Sequence, residues 1–144
     1  MRAVVQRVSE ARVDVAGETV GRIGPGLVVL LGVGRDDDAA AARALAVRIV
    51  GLRIFDDDAG RMNRALLEVG GEMLVVSQFT LLADTGSGRR PSWSRAAPGE
   101  LAQPLYREFI TRVRELGVAV AEGRFGALMD VHLVNHGPVT LIVE

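Results

Sequence analysis

Ser77-Gln78-Phe79-Thr80 puts two hydroxyls and an amide at the end of the apolar run Met73-Leu74-Val75-Val76. A serine or threonine attacks an ester only when a base takes its proton, and the glycines of a G-x-S-x-G elbow are missing on both sides of Ser77. The same groups can instead satisfy backbone at a strand end or form the rim of a substrate pocket. His132 and His136 stand four apart. On a strand that spacing separates them by roughly 13 Å, too far to share one ion. No metal site is therefore expected. A third group, Arg89, Arg90, Trp93 and Arg95, combines cations with an aromatic face among small hydroxyls. These are the ingredients for phosphate and base contacts, and Arg61 and Arg64 could extend the patch. The alternative is a solvated loop anchored by Trp93.

The fourth candidate is a Gly137-Pro138 step inside the apolar sequence Val131 to Val143. Proline has no N–H to give a strand ladder, and X-Pro is the only common route to a cis peptide. The step is either a plain turn before the last strand or a device that aims two backbone carbonyls where an ordinary strand cannot.

Several function classes are excluded by composition. The 144 residues contain 17 basic side chains, all arginine, so a lysine Schiff base and a P-loop lysine are ruled out. Gly32-Val33-Gly34 also breaks the dinucleotide pattern at its last glycine. With no cysteine there is no disulfide, no thiolate nucleophile and no cysteine zinc site. The net charge of −1 denies the chain a global basic field, so any nucleic-acid contact must come from a local patch and be salt-sensitive. A hydrophobic content of 49% supports a core for one domain over residues 1–144. Leu27 to Leu31 is far short of the ~20 residues of a membrane span, and Gln6 and Arg7 interrupt the start where a signal peptide stays apolar. A cytoplasmic, soluble protein with no membrane partner is expected.

The elements that must position these groups follow from periodicity. Strands are predicted at Ala3 to Val8, at Arg12 to Ala16, at Thr19 to Ile23 and at Leu27 to Val33, the last buried on both faces. Asp36-Asp37-Asp38 suits a helix start, followed by Leu45, Ile49 and Leu52 at helical spacing. A strand at Leu52 to Phe55 leads to Asp56-Asp57-Asp58-Ala59-Gly60, whose glycine is out of place for a calcium loop and which reads as a hairpin turn. Met73 to Leu81 reads as a central strand emerging into a cleft. Leu105, Phe109, Val113 and Leu116 mark a second helix ending at Gly117, and strands at 118–121, 131–134 and 139–143 close the chain. The fold class is α/β, a single mixed-sheet domain with two main helices.

Taken in order, these pieces resemble the D-aminoacyl-tRNA deacylases, the D-tyrosyl-tRNA deacylase family, from Met1-Arg2-Ala3-Val4-Val5-Gln6-Arg7-Val8 to the last strand. Ser77-Gln78-Phe79-Thr80 and Asn135-x-Gly137-Pro138-Val139-Thr140 carry the resemblance. Gly24-Pro25-Gly26-Leu27, Leu52-Arg53-Ile54-Phe55, Arg90-Pro91-Ser92 and Gly123-Arg124-Phe125 support it. His136, Trp93 and His132 depart from the family pattern, which has an Asp, a Phe and a small polar residue there.

The resemblance implies a three-layer fold and a homodimer in which a cis Gly137-Pro138 enters the partner's pocket beside Ser77 to Thr80. It implies hydrolysis, without a cofactor, of the ester between a D-amino acid, and also glycine, and the 3′-terminal adenosine of tRNA. Backbone N–H groups of Phe79 and Thr80 would polarise the ester, Gln78 would position the substrate, the ribose 2′-OH would assist water, and Arg7 would hold the Gly-Pro loop by its carbonyls. Thr80 as a covalent nucleophile is the minority alternative. A non-catalytic RNA-binding module and a histidine-metal hydrolase are the competing functions.

Overall fold

The computed structural model describes residues 1–144, and its organising element is the long first strand. β1 (Arg2–Val15) alternates buried and half-buried residues through Val8, then pauses at exposed Ser9 and Glu10 before resuming at Ala11. That pause makes the sequence look like two strands, whereas the chain forms one. β1 pairs antiparallel with β2 (Glu18–Ile23) through its C-terminal half and with β3 (Gly26–Gly32) through its N-terminal half. β3 then pairs in parallel with β6 (Glu72–Ser77), and β6 in parallel with β7 (Val120–Glu122). The final strand, β8 (Asp130–Val143), runs antiparallel along the free side of β1.

Because β1 serves two neighbours in succession, the sheet curls until β2 reaches β7. A Cβ on Gly21 would overlap the Glu122 carbonyl, so glycine is what allows this close approach. The result is one mixed, nearly closed sheet with two apolar faces. Leu27, Val29, Leu31, Met73 and Val75 face the helices, whereas Val28, Leu74 and Val76 pack against Val8, Val13 and Ile23 inside the curl. Leu27 to Leu31 is thus covered on both sides, as its unbroken apolar composition predicts.

Both helices lie on the first face. α1 (Ala39–Val50) begins where the Asp38 side chain accepts the Ala41 N–H at 2.8 Å and ends at Gly51, so Leu52 falls outside it. The three acids divide their work: Asp37 accepts the Gly34 N–H at 2.6 Å instead of entering the helix. α2 (Gly99–Glu115) ends in Arg112 and Arg114, suited to the negative end of its dipole, and Gly117 follows at φ +96°. It buries Tyr106, Phe109, Ile110 and Val113.

Other boundaries also shift from expectation. The strand expected at Leu52 to Phe55 is only β4 (Phe55–Asp56), paired with β5 (Met62–Arg64). The hairpin between them is built as anticipated around the acidic turn. The Asp57 carboxylate accepts the N–H groups of Ala59 and Arg61, which hold its pKa below the ordinary value, the Arg61 bond contributing most. β6 stops at Ser77, and Phe79–Leu82 forms a 3-10 turn where the sequence suggests continued strand. The strand expected at 118–121 lies at Val120–Glu122.

Phe109 is fully buried in the cluster shared by α1, α2 and the sheet. Phe109→Ala is expected to lower stability by about 3–5 kcal/mol in urea unfolding, because the cavity cannot collapse between two helices and a sheet.

Candidate active site

The parallel strands β3 and β6 end side by side, and open α/β sheets place ligands beyond such carboxyl ends. A cavity of about 400 Å³ lies there. Its walls come from Val33 after β3, from Val76 to Phe79 at the end of β6, from the start of α2, and from Phe125 to Met129 between β7 and β8. The lining is mostly apolar, with Ser77 and Gln78 as its polar margin. Phe79 is 52% exposed and meets Trp93 edge to face at 5.2 Å between centroids.

The change from strand to 3-10 turn here has a chemical consequence. A helical turn leaves its first N–H groups without internal partners. The Gln78 N–H is taken by the Leu31 carbonyl at 2.8 Å, but those of Phe79 and Thr80 are donated to no protein group. Two free backbone donors therefore sit side by side at the cavity margin. The hydroxyls are not activated: Thr80 Oγ1 accepts from Gln78 Nε2, and neither Ser77 nor Thr80 bonds a histidine or a carboxylate. The pocket margin thus presents main-chain donors beside hydroxyls that no histidine or carboxylate contacts.

The Gly137-Pro138 step is built elsewhere on the chain. Gln6 pairs with Thr140 and Val8 with Asn135, so residues 136–139 stand opposite Arg7 alone and bulge out of the β1–β8 ladder. The Gly137-Pro138 peptide is cis, and His136, Gly137 and Pro138 are exposed. Gly137 has φ +129°, and a Cβ there would come within 2.9 Å of Arg7 Nη2 and of the Val139 side chain. Arg7 itself is only 8% exposed. Its Nε donates to the His136 carbonyl at 3.1 Å and its Nη1 to the Ile54 carbonyl at 2.8 Å, with Asp56 Oδ1 at 3.3 Å.

Asn135 closes the inside of the bulge. In the orientation that satisfies all its partners, its amide donates to the Arg7 and Val139 carbonyls and accepts from Gln6 Nε2 and Thr140 Oγ1. Sequence reasoning assigned no role to Asn135 or Gln6, although both flank the motif. The β1–β8 register, which sets Gln6 opposite Thr140 and Asn135 opposite Val8 on either side of the bulge, is the signal that brings them together.

Within one chain the predicted residues fall into separate groups. Ser77, Gln78 and Phe79 line the cavity, and Thr80 follows as the second residue of the turn. No residue from 136 to 139 lines it, and Arg7 serves the bulge. Of the basic loop, Arg95 donates to the Ala83 carbonyl at 3.2 Å, and Arg35 reaches the Ser94 carbonyl. Arg89 and Arg90 are exposed and unpaired. Arg64 pairs with Asp58 at 3.0 Å in the β4–β5 hairpin. His132 meets Asp14 at 3.2 Å, whose carboxyl is held below its usual range mainly by the Thr19 hydroxyl and also by Arg12 and His132.

The curled sheet and the helical pair form one mixed α/β domain with the pocket at the ends of its parallel strands. A solved structure described as a probable eukaryotic D-amino acid tRNA deacylase has this fold, with a TM-score of 0.83 at 19% identity over 99% of this chain and 97% of that one. The chain belongs to the D-Tyr-tRNA(Tyr) deacylase family, whose model matches residues 4–144. It is 62% identical to a D-aminoacyl-tRNA deacylase of Desulfatibacillum aliphaticivorans, over all of this chain and 99% of that one. It is 59% identical to one of Symbiobacterium thermophilum, over all of this chain and 95% of that one. A structure titled c-Myc DNA Unwinding Element Binding Protein superposes with a TM-score of 0.95 at 38% identity, covering all of this chain and 98% of its own. No helix of the chain is long and apolar enough to cross a membrane.

Arg7→Lys retains the charge but not the forked set of donors that reaches two carbonyls at once. We expect it to lower stability by about 1–3 kcal/mol in urea unfolding, because at least one of the two carbonyls loses its donor.

Proposed function

We propose that this chain hydrolyses the ester between a D-amino acid and the 3′-terminal adenosine of tRNA, and that glycyl esters are substrates as well. The relationship to full-length deacylases supports the activity. The paired free N–H groups of Phe79 and Thr80 are the observation that carries the mechanism. Aimed at the ester carbonyl oxygen, they stabilise the charge that develops as water adds to the carbonyl carbon. The ribose 3′-oxygen then leaves with a proton, and the neighbouring 2′-OH assists the water because no side-chain base is in reach. Gln78 positions the substrate. The enzyme works on the cytoplasmic tRNA pool and needs no cofactor.

The chirality problem sets a scale. Rejecting an L-ester by ~10⁴ requires about 5.5 kcal/mol, whereas a methylene's difference in an apolar pocket supplies only ~1–3. A backbone wall resists displacement better than a rotamer does, and the Gly137-Pro138 tip is such a wall, held from behind by Arg7. Its carbonyls engage the α-amino group and leave an L side chain no room. Glycine has no side chain to exclude.

Since the tip and the pocket are apart in one chain, the reading requires a homodimer in which each tip enters the partner's pocket. β8 is suited to the interface. It is an edge strand paired only with β1, and Val134 and Ile142 on it are 50% and 71% exposed, beside Leu128 at 94%.

Purified protein is expected to release D-tyrosine from D-Tyr-tRNA with and without chelator while sparing L-Tyr-tRNA. Equal hydrolysis of the two enantiomers would sink the proposal. Gly137→Ala should reduce deacylation by at least 100-fold, about 2.7 kcal/mol, and leave tRNA binding intact, since its Cβ meets Arg7 and Val139. Ser77→Ala and Thr80→Ala should each retain activity within about tenfold, about 1.4 kcal/mol in barrier. A loss of several thousandfold in Thr80→Ala, restored by Thr80→Ser, would instead make its hydroxyl the nucleophile.

A further inference from the structure

A second cavity, of about 480 Å³, runs along the outer face of α2 and meets the first at Phe125, which lines both. Gln103, Arg107, Thr111 and Arg114 form one stripe of the helix, at intervals of three to four residues. The stripe is ~16 Å long at 1.5 Å per residue. The opposite wall is Glu122 to Phe125. Arg114 pairs with Glu122 at 2.9 Å, which neutralises the one acid of the groove. Arg107 and Arg124 are exposed and have no ion-pair or hydrogen-bond partner for their guanidinium groups, so the groove keeps a positive charge. Between the walls Tyr106 and Phe125 pack at 5.6 Å, and the Tyr106 hydroxyl is already bonded to the Val75 carbonyl at 3.1 Å. The groove therefore offers cations and amide or hydroxyl donors above an apolar aromatic floor.

We propose that this groove is the track for the 3′ single strand of the tRNA acceptor arm, with Arg107 and Arg124 binding phosphates upstream of the terminal adenosine. The proposal rests on the deacylase reading, which places that adenosine at the first cavity. A strand leaving the cavity past Phe125 enters the groove directly. Backbone contacts of this kind position a nucleic acid without reading its sequence, which suits an enzyme that must accept many tRNAs. In a chain of net charge −1, two unpaired arginines in one groove are a local field of the required sign. The basic loop on the Phe79 side is the competing track, and Arg89 and Arg90 are its unpaired cations.

The test compares Arg107→Gln/Arg124→Gln with Arg89→Gln/Arg90→Gln on D-Tyr-tRNA and on D-tyrosyl-adenosine, which has the ester but no phosphate. The first double variant is expected to raise KM for D-Tyr-tRNA by about 10–100-fold at unchanged kcat, and to leave D-tyrosyl-adenosine hydrolysis as in the parent. Its dependence of log affinity on log salt should be shallower by about 1.4, about 0.7 for each lost single-strand contact. Unchanged KM and salt slope, a loss confined to the Arg89/Arg90 variant, or an equal loss on both substrates would overturn the proposal. Equilibrium binding of uncharged tRNA to the same variants reads the groove without hydrolysis. A parent protein inactive on both esters would count against the deacylase reading alone.

Discussion

A buried guanidinium must find partners or it destabilises the fold, and Arg7 is the one largely buried charged side chain of this domain. Its partners are the His136 carbonyl, the Ile54 carbonyl and Asp56, which belong to the β8 bulge and the start of the β4–β5 hairpin. Two segments remote in sequence are thus fixed to the middle of β1 by one side chain. The constraint acts in both directions. The bulge needs a donor for a carbonyl that has left its ladder, and the buried arginine needs an acceptor for its Nε, which the bulge turns toward it. Asn135 completes the arrangement from within the strand, by donating to the Arg7 carbonyl on β1 and to the Val139 carbonyl at the end of the bulge.

Main-chain groups also dominate the pocket. β6 ends where its apolar run ends, and the following 3-10 turn releases two N–H groups that a continued strand would have used in pairing. The same break exposes Phe79, which Trp93 then covers in part from the 84–98 loop. That loop is itself held by backbone bonds between Asp84 and Ser92 and by Arg95 to the Ala83 carbonyl. Position and polarity at the site are therefore properties of secondary structure. Mutations in the strands that set this geometry can alter activity without touching a reacting group.

Much of this was legible in the residues. The apolar run at Leu27 to Leu31 predicts the buried strand β3, and the spacing of Leu105, Phe109 and Val113 predicts the second helix. Local pattern failed where tertiary pairing decides. Ser9 and Glu10 interrupt the alternation of β1 yet lie within one strand, because it changes partner there from β3 to β2. Phe79 to Leu81 is apolar enough for a strand and is a turn instead. The cationic groove was not visible at all. Arg107 and Arg124 are 17 positions apart in sequence, and only the packing of the β7–β8 connection against α2 brings them to one groove.

The departures from the family pattern follow the same logic. At His136 the contact made with Arg7 is through the carbonyl, which every residue has, and the imidazole is outside. A side chain of another type at this position would leave the tether in place. At residue 93 what matters is an aromatic edge against Phe79, and tryptophan supplies a larger one than phenylalanine. His132 has found a partner in Asp14, on the neighbouring strand. Gly137 has no such freedom, because its constraint is the space occupied by Arg7 and Val139 rather than a side-chain property that another residue could reproduce. A fold whose bulge and pocket margin are set by main-chain geometry leaves neighbouring side chains free to vary, and concentrates its intolerance at the few glycines where the backbone must come close.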